Sequence, residues 1–476
     1  MNLWSAARRS PVSGQQKDEP DPAGVRSPFQ HDHDRLLFST PVRRLSDKTQ
    51  VWPMDENDGV RTRLTHSHEV ANLARSIGTR ISKHPSQPFK NVDLHEAIQP
   101  ILSAIGLAHD LGNPAFGHQG EVAIGQWFNQ RKKWIFTQQS ESKQEALTAA
   151  VPGALWPEFT DFDGNPQTLR LITQLQTSQG FVGLDLTAAT LAASLKYAVA
   201  TTGRDKGKPS IKKFGYFDSE AQIVAWIRKE TGLQEGQRHP LTWIMEACDD
   251  IAYSVLDTDD LLKKEIISPD DVLVILRNDP ILKDAEPVKR LEAKFQDVAK
   301  GGRRSEITRD IKIGYVRAYL IEALIKEASD TFIRNCGAIF ALNYEVPLME
   351  KSVLCSCLKG IARQYAFSHR SILRTEAMGV AAIDALMTAF WDAISLRQKS
   401  DDIMSSRVGG RARYVYSLIS PNYLEEAHRA GAGNGAAASM RYRELRLLTD
   451  MVSGMTDTFA IKLWRELEAI PDVDRH

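Results

Sequence analysis

The chain has 476 residues, 42% of them apolar and 25% charged, the balance of a folded globular protein with one large core or two to three smaller ones. Lys plus Arg equals Asp plus Glu at 60 each, so overall charge points neither to nucleic acid nor to a membrane surface, and only a local basic patch would serve such a partner. The first thirty residues lack the apolar stretch of a secretory signal, and no uninterrupted apolar run approaches membrane-spanning length.

Residues 1–28 are rich in Pro, Ser, Gly, Gln and charge and read as a mobile tail. From there helical periodicity dominates. In RTRLTHSHEVANLARSIGTRI (61–81), Val70, Leu73, Ala74, Ile77 and Ile81 form one stripe at spacings of three and four. HEAIQPILSAIGLAHDLG (95–112) repeats the pattern with Ile98, Ile101, Leu102, Ile105 and Ala108. Pro100 fits only a first turn and so puts that helix's start near residue 97. Further helices are expected over 117–129, 166–177, 186–200, 218–232, 240–262, 270–278 and 285–299. The same pattern continues over 305–328, 348–363, 369–397, 421–429 and 440–470. DTFIRNCGAIFALNYEV (330–346), with its β-branched and aromatic residues, suggests one short hairpin or edge strand. Loops are expected over 129–165, 201–210 and 429–439, and no fixed-period repeat is present. The four cysteines offer a single C-x-C spacing, which argues against structural zinc and disulfides and fits a reducing cytoplasm. The expected fold is all-α, with a core over 29–265 and at most a minor β-hairpin. A helical part over 266–476 would pack on that core and complete a ligand pocket or an oligomer interface.

Titratable groups recur beside the apolar stripes. His66 lies four residues before Val70, and His109 follows Ile105 by four, so both imidazoles point inward. Asp110 stands at a helix C-terminus, where the macrodipole disfavours a carboxylate by about 0.3–1 kcal/mol and a nearby cation would compensate. In WIMEACDDIAYSVLD, Asp249, Tyr253 and Asp257 fall at i, i+4 and i+8 on a third helix. Two imidazoles and two carboxylates suit Mn²⁺, Fe²⁺, Co²⁺, Ni²⁺ or, with more waters, Mg²⁺. Satisfied core histidines and a solvated polar face are the alternative reading of the same residues. Beyond Gly112, Asn113 and Pro114, His118 and Glu121 sit three apart on a new helix. They suit either a proton relay, with the carboxylate fixing the imidazole's tautomer, or an ordinary surface pair.

These residues resemble the H…HD…D pattern of the HD-domain metal-dependent phosphohydrolases. The longer stretches resemble the deoxyguanosinetriphosphate triphosphohydrolase (dGTPase) family within it. The stretches are HDRLLFSTPVRRLSDKTQV (33–51), RTRLTHSHEVANLARSIG (61–78), HDLGNPAFGHQGE (109–121), FDGNPQTLRL (162–171), LKYAV (195–199), KKFGYFDSE (212–220), ACDDIAYSVLD (247–257) and VSGMTDTFA (452–460). The resemblance implies an HD-domain helical core and hydrolysis of a deoxynucleoside triphosphate (dNTP), by attack at the α-phosphorus, to deoxynucleoside and triphosphate. It also implies that His66, His109, Asp110 and Asp249 hold a divalent ion, Mn²⁺, Mg²⁺ or another transition metal, and that His118 and Glu121 are the catalytic pair. By the same carry-over Tyr253 and Asp257 lie at the deoxyribose, Lys196 and Lys213 at the triphosphate, and Gln50 and Arg43 near the nucleotide pocket. His68 departs from the aliphatic residue expected there and is not carried over as a ligand. Family members assemble as homo-oligomers, hexamers among them, and an allosteric nucleotide or single-stranded DNA are further expected partners. Another HD-type nucleotide phosphohydrolase, or a nucleotide-responsive regulator using the basic stretch 203–213, is the alternative.

Overall fold

The computed structural model describes residues 2–10, 25–52 and 59–470. Among these residues the chain forms nineteen α-helices with short 3₁₀ turns between them, and the only β pairings are three isolated bridges. The expected all-α class therefore holds.

The first motifs lie on α1 (Pro28–Leu37), α2 (Thr40–Arg44), α3 (Arg63–Ser82), α4 (Gln99–Ala108) and α5 (Gly117–Arg131). The chain then runs through α6 (Pro157–Thr160), α7 (Gly164–Thr173), α8 (Ala188–Ser194) and α9 (Ala221–Thr231) to the 24-residue α10 (Pro240–Lys263). There follow α11 (Pro269–Asn278), α12 (Glu286–Ala299), α13 (Ser305–Phe340) and α14 (Val353–Tyr365). The last group is α15 (Arg370–Ser395), α16 (Gly410–Ser417), α17 (Pro421–Arg429), α18 (Met440–Ser453) and α19 (Asp457–Ala469).

The stripes of α3 and α4 are buried as their spacing predicts, and the two helices pack against each other, against α10 and, for α3, against α13. Two apolar clusters result. One joins α3, α4 and α10 to α11–α14, and the other joins α5, α7 and α9 to α15–α19. Residues beyond 265 therefore contribute to both. A single π turn, Leu94–Ile98, precedes α4 and places Pro100 in the first α turn, where its missing N–H costs no bond.

Several expectations differ from the structure. The stretch 330–346 forms no hairpin, because α13 continues to Phe340. Leu324, Ala328, Phe332 and Ile339 lie along one buried face there, and Phe332 meets Phe89 with ring centroids 5.6 Å apart. That packing overrides the modest β preference of Thr331 and Ile333. The expected helix over 440–470 breaks at Gly454 into α18 and α19, with Thr456 capping the second. Residues 2–10 are not a mobile tail: Leu3 is buried, its carbonyl accepts from His239 Nε2 at 3.0 Å, and Arg8 pairs with Asp32 at 2.8 Å. The rest of the tail, 11–24, lies outside the described residues. Finally, α15 is the one described helix long and apolar enough by composition to cross a membrane, although Asp384 and Asp392 interrupt its apolar residues, so no uninterrupted apolar run reaches that length. Half of its most apolar window is buried inside the protein, with Ile383, Leu386, Met387 and Phe390 in the second cluster.

Candidate metal and catalytic centre

Three helices bring His66, His109 and Asp249 together. His66 projects from α3 and is wholly buried, and neither of its ring nitrogens has a hydrogen-bond partner among the described residues. His109 follows the last residue of α4. Its Nδ1 donates to the Gly106 carbonyl at 2.7 Å, which turns the lone pair of Nε2 toward the cluster. Asp249 Oδ1, from α10, lies 3.6 Å from His66 Nε2 and 3.5 Å from His109 Nε2. His109 Nε2 and Asp249 Oδ1 are likewise buried without a hydrogen bond. One atom from each of the three residues lies within 4.8 Å of the other two, and four of their polar atoms lack a partner among the described residues, a costly arrangement for a dry core and an ordinary one for a cation site.

Asp110 stands beside this triad rather than within it. Its Oδ1 is 3.6 Å from His109 Nε2 and accepts from Asn113 Nδ2, while its Oδ2 is paired with Arg63 at 2.5 Å. The cation that compensates this carboxylate at a helix end is thus Arg63, three residues before His66 on α3. Burial disfavours charge on His109, but the Asp110 and Asp249 carboxylates overcome it and raise the imidazole to about 9. Asp249 is also buried, yet Lys196 at 3.2 Å and the two imidazoles hold it well below the usual carboxylate range. Both shifts have one cause: the carboxylates demand positive charge at this spot, which a protonated imidazole or a metal ion supplies.

Above the triad lies a cavity of about 260 Å³. His109, Asp110 and Asp249 line it together with His118, Glu121, Lys196, Lys213 and Tyr253. His118 reaches it from the first turn of α5. Phe116, left-handed at φ 61°, ends the turn before that helix. Gly117 also has positive φ, and a Cβ there would sit 2.5 Å from the Arg63 guanidinium, so any other residue would strain the turn. His118 Nδ1 donates to Glu121 Oε2 at 3.0 Å, and the second oxygen of Glu121 accepts from the Gly164 amide at 2.7 Å. The bond to Glu121 raises the His118 pKa above its ordinary value, with burial opposing it. The His118 side chain remains 77% exposed, so its Nε2 is accessible to a ligand. Tyr253 packs its ring on His66 with centroids 5.3 Å apart. Lys213 is paired with Asp163. A second cavity of about 560 Å³ shares His118, Glu121 and Lys213 and is lined by Arg204, Lys206 and Lys212 of the basic stretch.

The other expected residues stand outside this cavity. His66 lies beneath its floor. Asp257, one turn beyond Tyr253, is buried, and burial together with Asp260 pushes its carboxyl well above the usual range. Both amide atoms of Gln50 are buried without a hydrogen bond to the described residues. Arg43 is exposed and donates to the Phe38 carbonyl and to Thr40 Oγ1. His68 is exposed on the outer side of α3. Sequence reasoning missed Arg63, Asn113, Asn165, Tyr197 and Met245, all of which line the cavity. Only Arg63 carried a signal, as a cation one turn before His66 on the helix facing Asp110.

No protein-family model matches the chain. The deoxyguanosinetriphosphate triphosphohydrolase-like protein of Listeria monocytogenes is 33% identical over 457 residues, covering 94% of this chain and 95% of the relative. The chain belongs to the deoxyguanosinetriphosphate triphosphohydrolase family. Within that family of hydrolases, the deoxyguanosinetriphosphate triphosphohydrolase of Klebsiella pneumoniae is 30% identical over 488 residues, covering 93% of this chain and 94% of the relative. That of Salmonella typhimurium is 29% identical over 506 residues, covering 98% and 97%.

Proposed function

We propose that this hydrolase is a metal-dependent dNTP triphosphohydrolase, cleaving dGTP or another dNTP at the α-phosphorus into deoxynucleoside and triphosphate. The observation that supports this reading best is the placing of the unsatisfied His66–His109–Asp249 triad beside the His118–Glu121 pair at one cavity. His66, His109 and Asp249, with Asp110 beside them, would hold Mn²⁺, Mg²⁺ or another transition metal. When bound, such an ion supplies Lewis-acid charge and lowers the pKa of a coordinated water.

The reaction forms a bond from a water oxygen to the α-phosphorus and breaks the bond from that phosphorus to the 5′-oxygen. The departing 5′-oxygen needs a proton. His118 is placed to deliver it: Glu121 accepts only, so Nδ1 carries the hydrogen toward Glu121 and Nε2 is the atom that exchanges a proton with the ligand. Lys196 and Lys213 bring positive charge to the wall where the phosphates would lie. Tyr253 offers a ring face to the sugar. Asp257 at the sugar, and Gln50 and Arg43 near the nucleotide, belong to this reading through the resemblance alone. So do the homo-oligomer and an activating nucleotide or single-stranded DNA, while the cytoplasm as compartment rests on the cysteine pattern.

The test incubates the purified protein with Mn²⁺ or Mg²⁺ and each dNTP, or GTP, and separates the products by ion exchange. Deoxynucleoside plus triphosphate, abolished by EDTA, is the expected result. His118→Ala should lower kcat by about 10²- to 10⁴-fold with nucleotide binding retained. Release of monophosphate or diphosphate products instead would refute the reaction type. Failure to turn over dNTP mixtures with single-stranded DNA present would favour a regulatory protein.

A further inference from the structure

The stretch VSGMTDTFA lies far from the cavity in sequence and supplies none of its lining residues. Its Asp457 is nevertheless buried against the turn from which the catalytic helix starts. Asp457 Oδ1 accepts from the amide of Phe116 at 2.9 Å, and Oδ2 accepts from the amide of Thr49 at 3.0 Å. Phe116 caps α5 in a left-handed conformation, two residues before His118. Thr49 adjoins Gln50, and the carbonyl of its other neighbour, Lys48, accepts from the Arg63 amide at 2.9 Å, where α3 begins. One carboxylate therefore joins the starts of the two helices that carry His66 and His118.

Two further contacts close the same knot. The buried Lys48 ammonium donates to the Asn113 carbonyl at 2.5 Å and to the Ser453 carbonyl at 3.0 Å, tying the turn after Asp110 to the end of α18. From the opposite side Gly379 of α15 meets the Phe116 ring. A Cβ at that position would come within 2.5 Å of the ring. Phe116 is thus held by its amide on one side and its ring on the other. A non-glycine residue keeps a left-handed backbone only where its surroundings enforce it.

We propose that Asp457 is a positioning residue for the His118–Glu121 pair. It acts through the Phe116 amide, which sets where α5 begins and hence where His118 Nε2 stands above the triad. The C-terminal hairpin of α18 and α19 thereby contributes to catalysis without touching the ligand. The inference rests on the role given to His118 and Glu121 above. A shift of about 1 Å in such a support is enough to cost about 10²-fold in rate while leaving binding nearly intact.

The test compares the full-length protein with Asp457→Asn, Gly379→Ala and, as a control on the same helix, Glu466→Gln. The expected result is a fall in kcat of at least about tenfold for the first two, with KM within about threefold, and no change for the control. Amide hydrogen exchange should rise over residues 113–121 in Asp457→Asn and stay unchanged along α13. A kcat within twofold of the unaltered protein in Asp457→Asn, or an equal loss in Glu466→Gln, overturns the proposal. If Asp457→Asn does not fold, Gly379→Ala decides by the same measure, since a displaced Phe116 ring with full kcat also overturns it. If the unaltered protein turns over no dNTP, the functional reading has failed independently and exchange alone decides. Unchanged protection over 113–121 then refutes the clamp, and a selective loss upholds it.

Discussion

Glu121 fixes which nitrogen of His118 is left free of it, Nε2, and it does so with both of its own oxygens engaged, one by the imidazole and one by the Gly164 amide. The same bond lifts the His118 pKa, so the protonated imidazole persists to higher pH than an ordinary histidine would. If His118 delivers the proton to the 5′-oxygen, kcat is full below that raised pKa and falls as pH rises through it. Glu121→Gln removes the charge and much of the lift. The alkaline limb of the kcat profile should therefore move to lower pH, and the maximum should fall by about tenfold or more. A pH–rate series on both proteins checks this, and an unmoved limb would show that Glu121 does not tune His118.

At the scale of elements, α3 is defined by its start. Thr62 and Thr65 exchange reciprocal side-chain to backbone bonds at 3.4 and 3.1 Å, and His66 follows in the next residue. Thr62→Ala should cost about 0.5–2 kcal/mol of stability in thermal or urea unfolding, because the Thr65 amide loses its side-chain acceptor. An unchanged unfolding midpoint would mean that tertiary packing alone fixes the helix start. The helices legible in the sequence were those with long stripes, such as α3, α4 and α10, because burial of one face dictates the 3.6-residue period. The end of α13 was not legible: Thr331 and Ile333 are locally ambivalent, and Phe89, which decides the matter, lies some 240 residues earlier. The candidate site divides in the same way. Spacing placed His66 and His109 on inward faces, and the structure brings both to Asp249. The helix-end position of Asp110 called for a cation and Arg63 stood one turn before His66, but spacing did not join the two or put Asp257 outside the cavity, since periodicity names the face of a helix and not its partner across the gap.

Across the whole molecule, buried charge joins elements that the apolar clusters alone would leave free to slide. Arg170 of α7 forms paired bonds to Asp450 of α18, at 2.9 Å from Nε to Oδ1 and 2.8 Å from Nη2 to Oδ2, and also reaches Glu220 at 2.8 Å. Gln167 Nε2 adds a third donor to Asp450 at 2.9 Å. Asp450→Ala strands these donors in a water-poor interior and should destabilise the fold by about 3–5 kcal/mol in urea unfolding. A loss below about 1 kcal/mol would show that Glu220 takes over the guanidinium unaided. The effect should reach the centre as well, because α7 begins at the Gly164 amide that holds Glu121.

The packed segment 2–10 has a consequence for the order in which the molecule is completed. Asn2 donates its amide to the Thr231 carbonyl, Leu3 accepts from His239, and Ser5 and Ala7 accept from the amides of Ala189 and Ala188. On a ribosome these residues emerge long before any of their partners. More than two hundred residues must be made before Leu3 meets His239, the cap of α10. Until then Trp4, which later packs against Phe89 and His239, has no finished pocket and is an apolar side chain a chaperone would recognise. The centre waits longer still, since Asp457 is translated last of all its contacts. A nascent chain released early would hold the His66–His109–Asp249 cluster and the His118–Glu121 pair and still lack the carboxylate that joins the starts of α3 and α5.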